Sequence, residues 1–464
     1  MGKASGETVA NDRTGMLDGA ALDAQMQAAL SRWHVPGAAV GVWRNGEQLT
    51  RGYGVTSLET NQPVAPDTLF QIGSISKVFT ATLVMMLVEE GKLALDTPVV
   101  TYLPDLHLAD ETAQTSVTLR HLLTHTAGFY GDFFDDFGPG DDALSQCVAQ
   151  LHTLRQYTPP GSLWAYCNAG FYLAGAVVER VTGKPFETAM RERLFAPLGL
   201  QRSFFFAHEA IVYSVAIGHN QKTPGGDEHE ITRLYPLPRN VAAAGGIISC
   251  VGDLLAFARL HLNGGELNGK RLLSEDSARQ MQTMQTPAAN FADAYGLGWA
   301  LETRDGQPIV GHGGSTNGFN AHLTLVPGQN FALAQFTNSG RGSALNDGIE
   351  KWALDAWCGI ASPDPEQAPL PDEALAVFAG RYERPDGAIT FTVHEGGLQR
   401  IMTLRDLLND KEETYPPDQL QAIGEREFIV VSEGENKGSK LDFIPGDDGA
   451  PRFVRIGGRL ADRV

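Results

Sequence analysis

Cysteine is scarce. The chain of 464 residues carries 4, at Cys147, Cys167, Cys250 and Cys358, far apart and with no C-x-x-C pair. That pattern argues against thioredoxin chemistry and a cysteine-built zinc site, and suits reduced, buried thiols of a cytoplasmic protein. Positive charge is short as well: 36 Lys and Arg stand against 55 Asp and Glu, a net charge of -19. With no basic stripe to meet phosphates, nucleic acid and anionic membrane are disfavoured as partners, although a locally positive pocket remains compatible. No apolar run reaches the roughly 18 residues of a membrane-spanning helix. The opening stretch MGKASGETVANDRTG has no apolar core of a secretory signal, so such a signal is either absent or has been removed, and the expected location is the cytoplasm. What is present is 42% hydrophobic against 20% charged residues, enough for a sizeable core, in a length that fits two domains.

Along the chain, residues 1–15 are polar and read as a flexible tail. Leu17 to about Arg32 suits an amphipathic helix, and AAVGVWRNGEQLTRGYGVTS a hairpin turning at Asn45-Gly46. Ser76 to Glu90 is apolar on most sides and reads as a buried central helix that Gly91 can end. A helix-rich middle follows, including LRHLLTH, DDALSQCVAQLHTL, AGFYLAGAVVERVTG, PFETAMRERLFAPLG and VGDLLAFARLHLNGG. Strand-like runs return with YGLGWALE, PIVGHGG, NAHLTLVP and FALAQFTN, and 346–358 closes the region as a helix. This order predicts an α/β domain: one sheet assembled from both ends of the region, with helices inserted between. Residues 361–373, with Pro363, Pro365, Pro369 and Pro371, read as a linker. Short extended runs separated by turn residues then predict a small antiparallel all-β barrel over 374–464.

Three short constellations carry chemistry. In Ser74-Ile75-Ser76-Lys77 a lysine lies one helical turn from a serine. If desolvated, its amine can be neutral and accept the serine proton. The same letters suit an ordinary N-cap serine with a surface lysine. In Tyr166-Cys167-Asn168 a phenol can shuttle that proton if nearby cations lower its pKa, and the amide can fix the lysine and bind a substrate carbonyl; a plain helix start reads equally well. In Gly311-His312-Gly313-Gly314-Ser315 the glycines let a ligand lie against the backbone, and the Ser315 N–H can pair with that of Ser74 as an oxyanion hole. His312 can assist proton transfer or hold a carboxylate. A glycine-rich hairpin corner is the plainer alternative.

Taken in order, SISK, YCN and HGG resemble the three motifs of the penicillin-recognising serine hydrolases. The branch is that of class C β-lactamases, D-alanyl-D-alanine carboxypeptidases, D-aminopeptidases and related esterases. TLRHLLTHTAG, PPGSLWAYCNAG, AAAGGIIS, YGLGW and VPGQNFALAQFTNSG extend the resemblance over residues 16–358. It implies a β-lactamase-like domain over 16–360, an antiparallel sheet flanked by helices, with a helical subdomain at about 100–240. It implies that Ser74 forms an acyl-enzyme, that Lys77 and Tyr166 share base and acid work, and that Asn168 orients Lys77 and substrate. His312 stands where the β-lactamase motif has lysine, which weakens a β-lactamase reading. LAVFAGRYE, GGL and FVRIGGR are similar to the lipocalin-like barrel behind some of these peptidases and behind penicillin-binding-protein-type thioesterases. That likeness implies that Arg459 reaches the substrate's terminal group. The expected activity is hydrolysis of a peptide amide or ester, a D-residue-selective peptidase being one form of it, with no cofactor and no metal. The alternatives are a broad carboxylesterase, a thioesterase cyclising a peptidyl thioester, and a non-catalytic binding protein. An oligomer is compatible.

Overall fold

The structure, a computed structural model, describes residues 17–406 and 411–464; the tail expected over 1–15 lies outside them. Helix α1 (Gly19–Trp33) is capped at one end by the Asp18 carboxylate, which accepts from the Ala20 and Ala21 amides, and at the other by His34 in a left-handed conformation. The hairpin β1 (Gly37–Arg44) and β2 (Glu47–Gly54) follows. The central helix α2 (Ser76–Glu89) is buried from Ser76 through Met85 and again at Leu87. Later come α3 (Asn168–Thr182) and α4 (Val251–Leu262). The sheet resumes with β3 (Thr286–Pro287), β4 (Ala294–Tyr295), β5 (Ala300–Arg304), β6 (Gln307–Thr316), β7 (Phe319–Val326) and β8 (Phe331–Thr337), and α5 (Gly342–Ala353) follows.

The order across this sheet is β2-β1-β8-β7-β6-β5-β4-β3, antiparallel throughout, so both ends of the region do meet, at β1 and β8. Period-two alternation sorts β1. Ala38, Val40 and Val42 join Leu22, Met26 and Leu30 of α1 and Leu345 and Ile349 of α5 in one core. Ala39 belongs to the larger core that holds α2, α3 and α4. At Gly41 a Cβ would lie 3.0–3.2 Å from Leu255 and Val251, so the glycine lets α4 seat closely on the sheet. Each fully buried Phe, Leu or Val of α2 contributes roughly 1.5–3 kcal/mol through burial. The helical middle is more broken than its sequence pattern suggests. The stretch 186–198 contains a π-turn at Arg191–Phe195, and 143–153 ends in a 3₁₀ turn. The last helix starts earlier than expected, at Gly342, and runs through a π-turn to Cys358.

Beyond it the chain forms β9 (Gly380–Arg384), β10 (Gly387–His394), β11 (Gly397–Asp406), β12 (Lys411–Thr414), β13 (Asp418–Ala422), β14 (Glu427–Val430), β15 (Lys440–Pro445), β16 (Pro451–Ile456) and β17 (Arg459–Arg463). Eight of these close a ring, β10-β9-β17-β16-β15-β14-β13-β11, sealed by the β10–β11 pairing, and β12 adds to the side of β11. Tyr382, Phe391, Phe428 and Phe443 fill its core. Phe453 and Leu460 instead join the core of the preceding region, so the barrel is packed onto it. All four cysteines are free and buried. Among the described residues no helix is long and apolar enough to cross a membrane.

Candidate active site

Ser74 sits in a 3₁₀ turn, Gly73–Ile75, that leads straight into α2. It is half-buried at a cleft of about 300 Å³ whose lining includes Tyr166, Asn168, His312, Gly314, Ser315 and Arg459. The structure therefore brings the expected residues to one place, with Lys77 just beneath the cleft surface.

Lys77 is fully buried, and its Nζ has three neighbours: Ser74 Oγ at 3.0 Å, Asn168 Oδ1 at 2.6 Å and the Ala244 carbonyl at 2.8 Å. Burial and then the Arg459 charge hold its pKa well below the usual lysine range, opposed by Asp132 and Cys167. A neutral amine has two N–H bonds and one lone pair. Asn168 Oδ1 and the Ala244 carbonyl can only accept, so they take both N–H bonds. The lone pair is left facing the Ser74 hydroxyl, the arrangement a general base requires. The Tyr166 and Phe171 rings pack 4.9 and 5.5 Å from Nζ.

Tyr166 is hydrogen-bonded to Ser74 and almost wholly buried. Burial pushes its pKa up, while Arg459 and the Ser74 hydrogen bond pull back. The condition set from sequence, a phenol acidified by cations, is thus not met: Tyr166 is a neutral phenol. Such a group can donate or pass a proton but does not stand as an anion. His125 stacks on its ring at 4.2 Å and accepts from the Cys167 amide. On the far side, the Gly457-Gly458 turn between β16 and β17 supplies the Gly458 carbonyl to the Tyr166 amide at 2.8 Å.

On β6, His312 is buried and its Nδ1 lies 2.5 Å from the Gly313 carbonyl, so Nδ1 carries the hydrogen. Burial above all pushes its pKa down to about 3. It is a neutral imidazole with an accepting Nε2, not a cation for gripping a carboxylate, and that Nε2 has no partner among the described residues. The glycines beside it serve close approach. A Cβ on Gly314 would lie 2.0 Å from the Ile72 carbonyl and 3.1 Å from the Ser74 amide nitrogen, and one on Gly73 2.8 Å from the Ser315 nitrogen. The backbone at Gly314-Ser315 therefore lies directly against that at Gly73-Ser74.

Arg459 reaches the cleft from the first residue of β17. Its guanidinium stands 4.6 Å from the centre of the Tyr166 ring. Nε and Nη2 donate to Asp132 at 3.0 and 3.4 Å, and Nη1 to the Gly457 carbonyl at 2.9 Å. Asp132, His125 and Ala244 were not singled out from the sequence. A lone acid in a loop carries no signal until its partner is known, and here that partner lies 327 positions away.

Comparison with known proteins places the chain in a family. Residues 22–356 match the family model of the β-lactamases. Penicillin-binding protein 4 of Amycolatopsis lactamdurans is 36% identical, over 80% of this chain and 99% of its own. Unguisins hydrolase ungD' of Aspergillus campestris is 29% identical, over 93% and 88%. Among solved structures, SurE superposes with a TM-score of 0.74 at 28% identity, covering 96% of this chain and 98% of its own. SurE with D-Leu gives 0.71 at 27%, covering 96% and 99%. The fold is accordingly a β-lactamase-like sheet-and-helix domain followed by a closed antiparallel barrel, and the chain belongs to the β-lactamase family of serine hydrolases.

Proposed function

We propose that this enzyme moves an acyl group from a peptide through an ester on Ser74, with a D-residue at the acyl position. Lys77 takes the Ser74 proton as the hydroxyl attacks the carbonyl. The amides of Ser74 and Ser315 hold the oxygen that becomes negative, and Tyr166 passes the proton to the leaving group. His312 Nε2 accepts a hydrogen bond from substrate or from the phenol. Asn168 fixes Lys77, and Arg459, with donors left over from Asp132, meets the substrate's terminal group. Water arriving by the same route then breaks the ester. The observation that carries the reading is the buried Lys77 amine, whose two acceptors leave its lone pair to Ser74. The D-residue preference draws on the likeness to SurE, which has been solved with D-Leu, across 96% of the chain, barrel included.

A second reading has an amine in place of water as acceptor, giving a cyclic product. The apolar side chains Phe134, Leu237, Val241 and Phe291 along the cleft favour it, because they keep water sparse around the ester. Intact-protein mass spectrometry after incubation with L- and D-terminated peptides, p-nitrophenyl esters, peptidyl thioesters and β-lactams tests both. The expected result is an added acyl mass on Ser74, greatest with D-terminated peptides or thioesters and absent in Ser74→Ala. A well-folded Ser74→Ala protein that still turned substrate over would overturn the mechanism. Ester turnover far ahead of every peptide and thioester would overturn the substrate class, and a cyclic product would select the second reading.

A further inference from the structure

We propose that Asp132, clamped by Arg459 of the barrel, is a positioning residue that fixes which end of the Asn168 amide faces Lys77, and so where the Lys77 lone pair points. The proposal rests on the reading of Ser74 as nucleophile. Asn168 Nδ2 donates to Asp132 Oδ1 at 2.6 Å while its Oδ1 accepts from Lys77 at 2.6 Å. An ionised carboxylate only accepts. Burial works against that ionisation, but Arg459, Arg384 and Asn168 together outweigh it and keep Asp132 below the usual carboxylate range. The sense of the amide is therefore imposed. Turned end for end, Nδ2 would donate into the Lys77 lone pair, an N–H would point at Ser74, and the base would be lost.

The rest of the local structure holds Asp132 in place. The Gly131 carbonyl accepts from the Ala169 amide at 2.9 Å, and a Cβ on Gly131 would lie 2.4 Å from the Cys167 Cα, so the 131–132 segment lies flat on the start of α3. Arg459 is fixed in turn by the Gly457-Gly458 turn that carries the Tyr166 amide. A continuous chain of contacts thus runs from Arg459 through Asp132, Asn168 and Lys77 to Ser74. The other titratable groups that face Lys77 are Tyr166, His125, His312 and Cys167, and both histidines are neutral, held below their usual range by burial. That leaves Asp132 and Arg459 as the charges nearest the base, of opposite sign.

The test is the pH profile of the full chain hydrolysing a short p-nitrophenyl ester, with Ser74 acylation followed by intact mass. Asp132→Ala and Asp132→Asn should lower kcat about 10- to 100-fold while KM moves less than about threefold, since the substrate's own contacts survive. The acid limb of kcat/KM reports loss of the proton from the base. It should move to lower pH in Asp132→Asn, where a neighbouring negative charge is gone, and to higher pH in Arg459→Gln, where a positive one is gone. Arg459→Lys should keep the limb near its native position. The double variant Asp132→Asn with Arg459→Gln should lose less kcat than the product of the two single losses. Native kcat in both Asp132 variants, or acid limbs moving the same way in Asp132→Asn and Arg459→Gln, would overturn the proposal. Should Asp132→Ala fail to fold, the Asn variant decides. If the native chain acylates Ser74 and Ser74→Ala is dead while the Asp132 variants behave as native, this proposal alone falls; if Ser74 never acylates, the reading beneath it falls first.

Discussion

A lysine amine is a poor base in water at neutral pH because it is already protonated. Lys77 escapes this by burial beside Arg459, and two acceptors that take its N–H bonds turn the lone pair toward Ser74. Arginine at the same position would keep its charge at any working pH and offer no lone pair. Lys77→Arg should therefore lose at least about 10³-fold in kcat, measured by steady-state ester hydrolysis with circular dichroism to show that the fold survives. A residual rate within tenfold of native would mean that another group takes the proton. The serine, lysine, phenol and amide are legible only when SISK, YCN and HGG are taken together in order, because each motif alone also suits an ordinary helix start or hairpin corner. The acidified phenol was not a safe reading. Whether Tyr166 ionises depends on burial among Trp164, Tyr295 and His125, which only the folded molecule sets.

Between elements, the site depends on how tightly β6 lies against the turn before α2. The two glycines of HGG are unequal in this. A Cβ on Gly314 would meet the Ile72 carbonyl at 2.0 Å, backbone against backbone, whereas one on Gly313 meets nothing nearer than 3.9 Å. Gly314→Ala must push the strand off the serine turn and separate the Ser74 and Ser315 amides. Its kcat should fall by roughly 10²–10³, the cost of losing one oxyanion donor, and Gly313→Ala should stay within a few-fold. Equal rates in the two variants would show that the amide pair does not serve the reaction. At this scale the sequence pattern gave element type and order, because period-two runs and apolar helices signal themselves locally. It gave boundaries poorly. The π-turns at 191–195 and 354–358 and the 3₁₀ ending of 143–153 answer to packing rather than to composition. The strand Lys411–Thr414 is short and polar, with no alternation to mark it, and Asp418–Ala422 alternates only at Leu420 and Ala422, too short a run to signal a strand.

Across the whole molecule, the barrel is part of how the site is held. Besides the Arg459 contacts, Arg455 of β16 makes a buried two-pronged pair with Asp442 of β15 at 2.9 and 2.7 Å and spends its remaining arm on the Trp164 carbonyl at 2.6 Å, two residues before Tyr166. Arg155 with Asp462 and Tyr130 with Asp386 extend the seam. Arg455→Met fills the same space but leaves Asp442 buried without a cation and frees the Trp164 carbonyl. Breaking one partner of such a pair costs roughly 3–5 kcal/mol, read as a fall in unfolding free energy in urea. Because the lost hydrogen bond anchors the Tyr166 segment, kcat should fall with it while KM stays near native. Adding Asp442→Leu removes the stranded charge and should return most of the stability. It should not return kcat, since Trp164 stays untied. If the double variant recovered both together, the barrel would be serving the catalytic residues through stability alone, and the hydrogen bond to Trp164 would have no positioning role.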